Sequence, residues 1–464
     1  MERPCAWERY NDVQLAQLDS LTGDYRQFIS DNKTEREFCA SSIELAKKAG
    51  YQDLNELISA GSQLKPGDKV YVSNRGKALL LACIGTSPLT DGVNILGAHI
   101  DSPRLDVKQN PLEVKNELAT LDTHYYGGIK KYQWVTMPLA MHGVVAKKDG
   151  SVVPVRIGEA EDDPVFVVSD LLIHLARKQL DKKGSDVIEG ELLDVIVGNR
   201  PLVMKGEKKD GDDPVRAGVL KILSERLGIE EEDFLSAELE IVPAGRARDL
   251  GLDRSMILGY GHDDRSCAYP SLRAQLDCQT PQRTAVTLLV DKEEIGSVGA
   301  TGMHSRFFED TMAEILELAG EKGDLALRRC LRRSRMLSSD VSAAYDPSYA
   351  DAFDPKNAAY LGHGLAFNKF TGSNGKAGSN DADAEYVALI RRCMDDAGVA
   401  FQTCELGRVD AGGGGTIAYI LANYGMQVID CGVPVLSMHS PWEVVSKADV
   451  YEAYRGYQAF LALA

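Results

Sequence analysis

The sequence predicts an α/β fold, with a mainly parallel or mixed sheet flanked by helices and a strand-rich segment inserted into it. Two observations carry that prediction. From about residue 255 onward, short apolar runs alternate with amphipathic stretches of helical length, the pattern of βαβ units. Between about 104 and 250 the chain changes character and offers mostly short strand-like runs bounded by glycine and charge. At 464 residues, 44% of them hydrophobic, it can bury more than one core.

The elements come in this order. Residues 7–60 are polar with helical spacing, as in "SSIELAKKAGYQDLNELI". After "KPGD" come three strand-like runs, "KVYVSN", "ALLLACIG" and "VNILGAHID". The middle supplies strands in "GVVAKK", "VPVRIG" and "LLDVIVGN", a helix in "VSDLLIHLARKQLDKK", and a charged, glycine-rich stretch near 205–213 that reads as a solvated loop. Then "AYPSLRAQLD" reads as helix, "TAVTLLVD" as strand, "RFFEDTMAEILELAG" as helix and "MLSSDV" as strand. "DADAEYVALIRRCMDDAG" and "TIAYILANYG" read as helices, "PVLSMHS" as strand and "SKADVYEAYRGYQAFLAL" as the last helix.

Charge and composition exclude several partners. The formal net charge of −17 disfavours nucleic acid and anionic membrane surfaces. No apolar stretch approaches the roughly 18–20 residues that span a bilayer, and "MERPCAWERYNDVQ" lacks a signal-peptide pattern. Nine cysteines without a CxxC pair read as reduced thiols in a cytoplasmic protein.

The chemistry gathers at strand ends. "VNILGAHIDSP" ends in His99 and Asp101, "TLLVDKEEIG" in Glu293 and Glu294, "MLSSDV" in Asp340 and "PVLSMHSP" in His439. Open α/β sheets bind ligands outside the carboxyl ends of their strands. Asp263 and Asp264, just before a predicted helix, add a further carboxylate. Taken singly each has an ordinary reading: an HxD is a loop hydrogen bond, an EE pair a solvated edge. Together, two imidazoles with three or more carboxylates suit Zn²⁺, Mn²⁺ or Co²⁺, and one carboxylate can bridge two ions. Asp101, two residues after His99, can orient the imidazole. Of the paired glutamates, which should diverge on leaving the strand, one can bind metal while the other acts as general base on a water.

On these residues the sequence resembles the M18 family of metallo-aminopeptidases, which contains aspartyl aminopeptidase and aminopeptidase I, and its bacterial members in particular. The resemblance rests on "GAHIDSPRLDVK", "YYGGIKKYQW", "DDRSCAYPSL", "DKEEIGSVGATGM", "SSDVSAAYDPSY", "GKAGSNDADAE", "VDAGGGGTIA" and "MHSPWEV", in the family's order from about residue 20 to the end. It implies a zinc-exopeptidase-like catalytic domain, residues 1–103 and 251–464, with a dimerisation and substrate-lid domain inserted at 104–250. It assigns His99 and Asp340 to a first metal, Asp263 to both, and Glu294 and His439 to the second. It makes Glu293 the general base and Asp101 the carboxylate behind His99. His174, in "LLIHLARK", and Lys369, in "AFNKFTG", correspond to substrate-binding positions.

The resemblance further implies an aminopeptidase with two divalent ions, zinc first and manganese or cobalt as alternatives. It would act on short peptides and assemble from dimers into a homo-oligomeric dodecamer. Ala343 stands where some aspartyl aminopeptidases carry a substrate-facing histidine, so an acidic preference is in doubt. His262 reads as a solvated loop histidine, and His304 has no ligand counterpart. "GSNGKAGS" misses the phosphate-loop spacing, and "AGGGGT" reads as backbone N–H groups at a helix start close to the site. The rivals are a related two-metal amidohydrolase, such as a deacylase or carboxypeptidase, and a noncatalytic peptide-binding shell.

Overall fold

Residues 3–202, 213–372 and 375–464 are described in the computed structural model. Residues 205–212 of the charged stretch, and Ser373 and Asn374 of the near-miss phosphate loop, lie outside them. The chain forms two compact units: Met1–Asp101 with Ala247–Met438 and Glu443–Ala464, and Ser102–Arg246 with His439–Trp442.

The first unit is built on a nine-stranded sheet. Its spatial order is Gln52–Asp53, Lys69–Asn74, Ala78–Cys83, Ala285–Val290, Asn94–His99, Arg335–Ser339, Gln427–Gly432, Leu365–Asn368 and Phe401–Cys404. The four strands from Ala285–Val290 to Gln427–Gly432 run parallel. Ala78–Cys83 and Leu365–Asn368 run antiparallel to them on either side, so the sheet is mixed.

Its apolar runs are continuous because both faces are covered. Successive side chains alternate: Leu79, Leu81, Leu96, Ala98 and Leu289 enter one core, Leu80, Ala82, Ile95, Val286 and Leu288 the other. The helices Asp12–Asp31, Glu35–Lys48, His262–Leu276 and Lys447–Leu461 close the first face through Tyr25, Phe38, Leu272 and Phe460. Phe307–Leu318 and Asp324–Arg333 close the second through Met312, Ile315 and Leu331. Burying each large side chain contributes roughly 1.5–3 kcal/mol. The first two helices start where reciprocal capping boxes satisfy their free N–H groups, Asn11 with Gln14 and Thr34 with Glu37. A smaller sheet, Arg248–Leu250, Met256–Gly259, Glu443–Ser446, Pro434–Leu436 and Ser342–Ala343, completes this unit.

The second unit carries a six-stranded antiparallel sheet ordered Val152–Ile157, Leu139–Ala146, Ala237–Pro243, Arg104–Lys115, Leu118–Tyr126 and Val195–Gly198. The helix expected over "VSDLLIHLARKQLDKK" shrinks to Arg177–Leu180. Leu171, Leu172, Ile173 and Leu175 are 48%, 54%, 67% and 67% exposed. An amphipathic pattern makes a helix chiefly by burying its apolar face, and here no such burial occurs.

Candidate metal centre

Three parallel strands of the first unit end side by side. His99 closes Asn94–His99 opposite Val290, the last residue of Ala285–Val290, and Ser338 pairs with Gly97 on the other flank. Beyond these strand ends, Asp101, Asp291–Glu294 and Asp340 therefore leave at one edge of the sheet.

His99 is the hub. Its Nε2 lies 3.2 Å from Asp263 Oδ1, 3.8 Å from Asp340 Oδ1 and 3.9 Å from Glu293 Oε2. Its Nδ1 is 3.1 Å from the Asp101 carbonyl oxygen and 3.3 Å from Asp101 Oδ1. A proton on Nδ1 donated to Asp101 leaves the Nε2 lone pair facing the carboxylates, the tautomer a ligating imidazole needs. The ligand atoms of His99, Asp263 and Asp340 lie within 4.8 Å of one another, as do those of His99, Glu293 and Glu294. Asp263 and Glu294 also approach within that limit, so Asp263 stands between the two groups.

The paired glutamates do not sit on the strand itself. After Val290 the chain passes buried Asp291 and left-handed Lys292 (φ 70°), and Glu293–Ile295 forms a single 3₁₀ turn. Neighbours in such a turn diverge by about 120°, so the separation of the two side chains comes from the turn rather than from strand alternation. Asp101 pins that turn. Its Oδ1 accepts the Glu293 N–H and its Oδ2 the Glu294 N–H, each at 3.2 Å.

Electrostatics make the site a cation trap. Burial pushes the Asp340 carboxyl well above its usual range, and the charge of Glu293 adds to this while His99 opposes it. Burial would lower His99, but its hydrogen bonds to Asp101 and Asp263 prevail and hold it well above the ordinary imidazole range. Crowded carboxylates in a desolvated pocket stay ionised only beside positive charge. The donors are nitrogen and oxygen, as zinc prefers. Four ligands about 2.0–2.1 Å from one ion would stand about 3.4 Å apart, close to the His99–Asp263 separation. The residues fit a divalent metal.

Several supporting residues escaped the sequence. Asp263 and Asp264 share a kinked lead-in to the helix His262–Leu276 but separate in role: Asp263 faces the imidazole, whereas Asp264 Oδ2 accepts the His99 backbone N–H at 3.2 Å. Glu443, buried on a strand of the small sheet, accepts the Asp263 N–H at 3.0 Å. Its only sequence signal was its place in "MHSPWEV". Gly432 is needed beside Asp340, because a Cβ there would lie 1.9 Å from the Asp340 carbonyl oxygen.

Other expectations need correction. His262 is not a solvated loop residue: it is fully buried, its Nδ1 2.6 Å from Tyr25 Oη, and burial lowers it to about 3. His304 is exposed and hydrogen-bonds Tyr419. The strand before Lys369 runs antiparallel to Gln427–Gly432, so exposed Lys369 leaves it toward the opposite edge of the sheet and does not join this group. The "AGGGGT" run precedes only five helical residues, Ala418–Ala422; its hydrogen bonds include one from the Gly372 N–H to the Gly414 carbonyl oxygen and one from the Thr416 hydroxyl to Asp430. The strand in "PVLSMHS" is Pro434–Leu436 of the small sheet, so His439 does not close a central strand. His439 belongs to the second unit, half-buried, its Nδ1 2.9 Å from the Gly128 carbonyl oxygen. His174, also in that unit, is exposed in a turn rather than packed on a helix.

Comparison with known proteins gives one consistent answer. Residues 28–461 match the family model described as aminopeptidase I zinc metalloprotease (M18). The chain is 58% identical over 458 residues to a probable M18 family aminopeptidase 1 of Clostridium acetobutylicum, covering 98% of this chain and 97% of that one. The crystal structure of an M18 family aminopeptidase from Thermotoga maritima superposes with a TM-score of 0.93 at 43% identity, covering 99% of both chains. The S. cerevisiae mApe1 dodecamer shares the fold at 20% identity, with a TM-score of 0.74 and coverage of 96% and 97%.

Proposed function

Because this chain belongs to the M18 family of zinc aminopeptidases, we propose that it removes N-terminal residues from short peptides with two divalent ions and one glutamate base. The observation that carries this reading is the convergence of Asp263, Asp340 and Glu293 on His99 Nε2 within 3.2–3.9 Å. His99 and Asp340 would hold one ion, Asp263 both, and Glu294 with His439 the other, His439 being assigned from the "MHSPWEV" resemblance. Zinc is the ion of choice, given the N/O donor set. Two such ions would supply Lewis acidity toward the scissile carbonyl and acidify the attacking water.

The chain's own groups do the proton work. Glu293 takes a proton from the attacking water and returns it to the leaving amine. Asp101 keeps Glu293 in place and His99 in its ligating tautomer. Asp264 and Glu443 hold the backbones of His99 and Asp263. We assign residues 104–250 to dimerisation and His174 to substrate, with dimers combining into a dodecamer. The exposed Leu171–Leu175 segment around His174 supports a contact with another copy. Nine free thiols favour a reducing cytoplasm.

A panel of Asp-, Glu-, Leu- and Lys-p-nitroanilides, each free and N-acetylated, tests the reading on zinc-loaded protein. Release from the free amines alone is expected, and the panel also reads the residue preference. Equal p-nitroaniline release from the acetylated forms would mean that no free α-amine is required and would overturn the aminopeptidase reading, whereas release of acetate with the anilide intact would make the protein a deacylase-type amidohydrolase.

A further inference from the structure

All nine cysteines are free, and Cys83 and Cys278 stand against each other. Cys83 ends the strand Ala78–Cys83, and Cys278 comes two residues after the helix His262–Leu276. The Gln279 carbonyl oxygen receives both sulfurs, at 3.0 Å from Cys278 Sγ and 3.8 Å from Cys83 Sγ. Their shared acceptor keeps the two thiols close. The Cys278 thiol beside it, helped by the charge of Lys69 and opposed by burial, holds Cys83 below the ordinary thiol range, while the same pairing and burial raise Cys278. Lys69 is the register partner of Cys83, and its Nζ is 3.4 Å from the Leu276 carbonyl oxygen.

Access completes the arrangement. Cys83 is buried, but Cys278 is half-exposed and lines an open cavity of about 320 Å³ with Gln279, Thr280 and Gln458. Cys39, Cys404 and Cys431 are buried beside serine hydroxyls rather than a second thiol. Thiolate character, a nearby cation, solvent access and an adjacent resolving thiol are what distinguish a redox-sensitive cysteine from an inert one.

We propose that Cys83 and Cys278 form an oxidant-sensitive dithiol that hydrogen peroxide closes to an intramolecular disulfide. A sulfur of the pair attacks one peroxide oxygen: the S–O bond forms, the O–O bond breaks, and the departing hydroxide takes that thiol's proton as water. The second sulfur then attacks the sulfenic sulfur, the S–S bond forms, and hydroxide leaves with the remaining proton as a second water. Two thiols lose two electrons and two protons, and one peroxide becomes two waters. The bond ties the C-terminal end of the helix His262–Leu276 to the end of the strand Ala78–Cys83, and a dithiol reductant reverses it.

Zinc-loaded wild type, Cys278→Ser and Cys83→Ser are treated with peroxide, alkylated under denaturing conditions and mapped without reduction. Wild type is expected to give one linked peptide containing Cys83 and Cys278, about 2 Da lighter than the two reduced peptides together and absent after dithiothreitol. Neither variant should give that peptide, and in Cys83→Ser the Cys278 sulfur should proceed to sulfinic acid. Absence of the linked peptide from oxidised wild type, whatever else is modified, overturns the proposal.

Discussion

Asp101 Oδ1 stands 3.2 Å from the backbone nitrogen of Glu293 and 3.3 Å from His99 Nδ1. One buried carboxylate thus orients both a metal-facing imidazole and the turn bearing the proposed base, and its Oδ2 holds Glu294 as well. Asp101→Asn keeps the shape but sets an amide N–H₂ against one of these donors. Both zinc affinity and kcat should fall by about 10–100-fold. The two are separated by measuring kcat at saturating zinc beside a competition titration for the metal. Loss of neither would remove Asp101 from its positioning role.

Glu293→Gln separates proton transfer from metal binding. Glu293 Oε2 is farther from His99 Nε2 than the Asp263 oxygen is, 3.9 Å against 3.2 Å. Zinc content by mass spectrometry should therefore match wild type, while kcat falls by about 10²–10⁴-fold. Wild-type turnover in metal-loaded Glu293→Gln would remove the general base from the mechanism.

Much of this geometry was legible because strands are read from apolar runs, and the chemistry of an open sheet lies where those runs stop. His99, Glu293, Glu294 and Asp340 are found by that rule. The partners that hold them are not, because they come from remote sequence. Glu443 reaches back to Asp263, and Tyr25 fills the hydrogen bond of His262, and neither residue belongs to a local pattern. His262 shows the cost: in sequence it adjoins an acidic pair, yet in the fold it is core. The segment around His174 failed for the opposite reason. Its period is helical, but period predicts a helix only where something covers the apolar side.

Gly432→Ala tests how the sheet seats Asp340. The added methyl would meet the Asp340 carbonyl oxygen at 1.9 Å, and this oxygen is backbone that cannot swing aside. The strand end must shift, at a cost of about 1–3 kcal/mol in unfolding free energy. Asp340 moves with it, so zinc should bind more weakly. Denaturant titration with and without added zinc reads both effects. A variant as stable as wild type with unchanged zinc affinity would mean the two strands can part freely there.

Asp430 gives a pH dependence with a definite sign. It lies fully buried on the central strand Gln427–Gly432, accepts the Thr416 hydroxyl, and is pushed by burial up to about 7, against its hydrogen bonds with Thr416 and Asn380. An unfolded aspartate titrates near 3.9. Between about pH 4 and pH 7 the native state therefore holds more protons at this site than the unfolded state does. Stability contributed here is complete below pH 4 and is lost as pH rises through 7, by up to about 1.4 kcal/mol per pH unit. Asp430→Asn cannot ionise but can still accept from Thr416, so it escapes that loss. Urea unfolding of both proteins at pH 5, 6, 7 and 8 should show the variant gaining on wild type up to pH 7 and holding its advantage above. Titrations common to both chains cancel in the difference. A difference that stays flat from pH 5 to 8 would mean that Asp430 is already ionised at pH 5 in the folded protein.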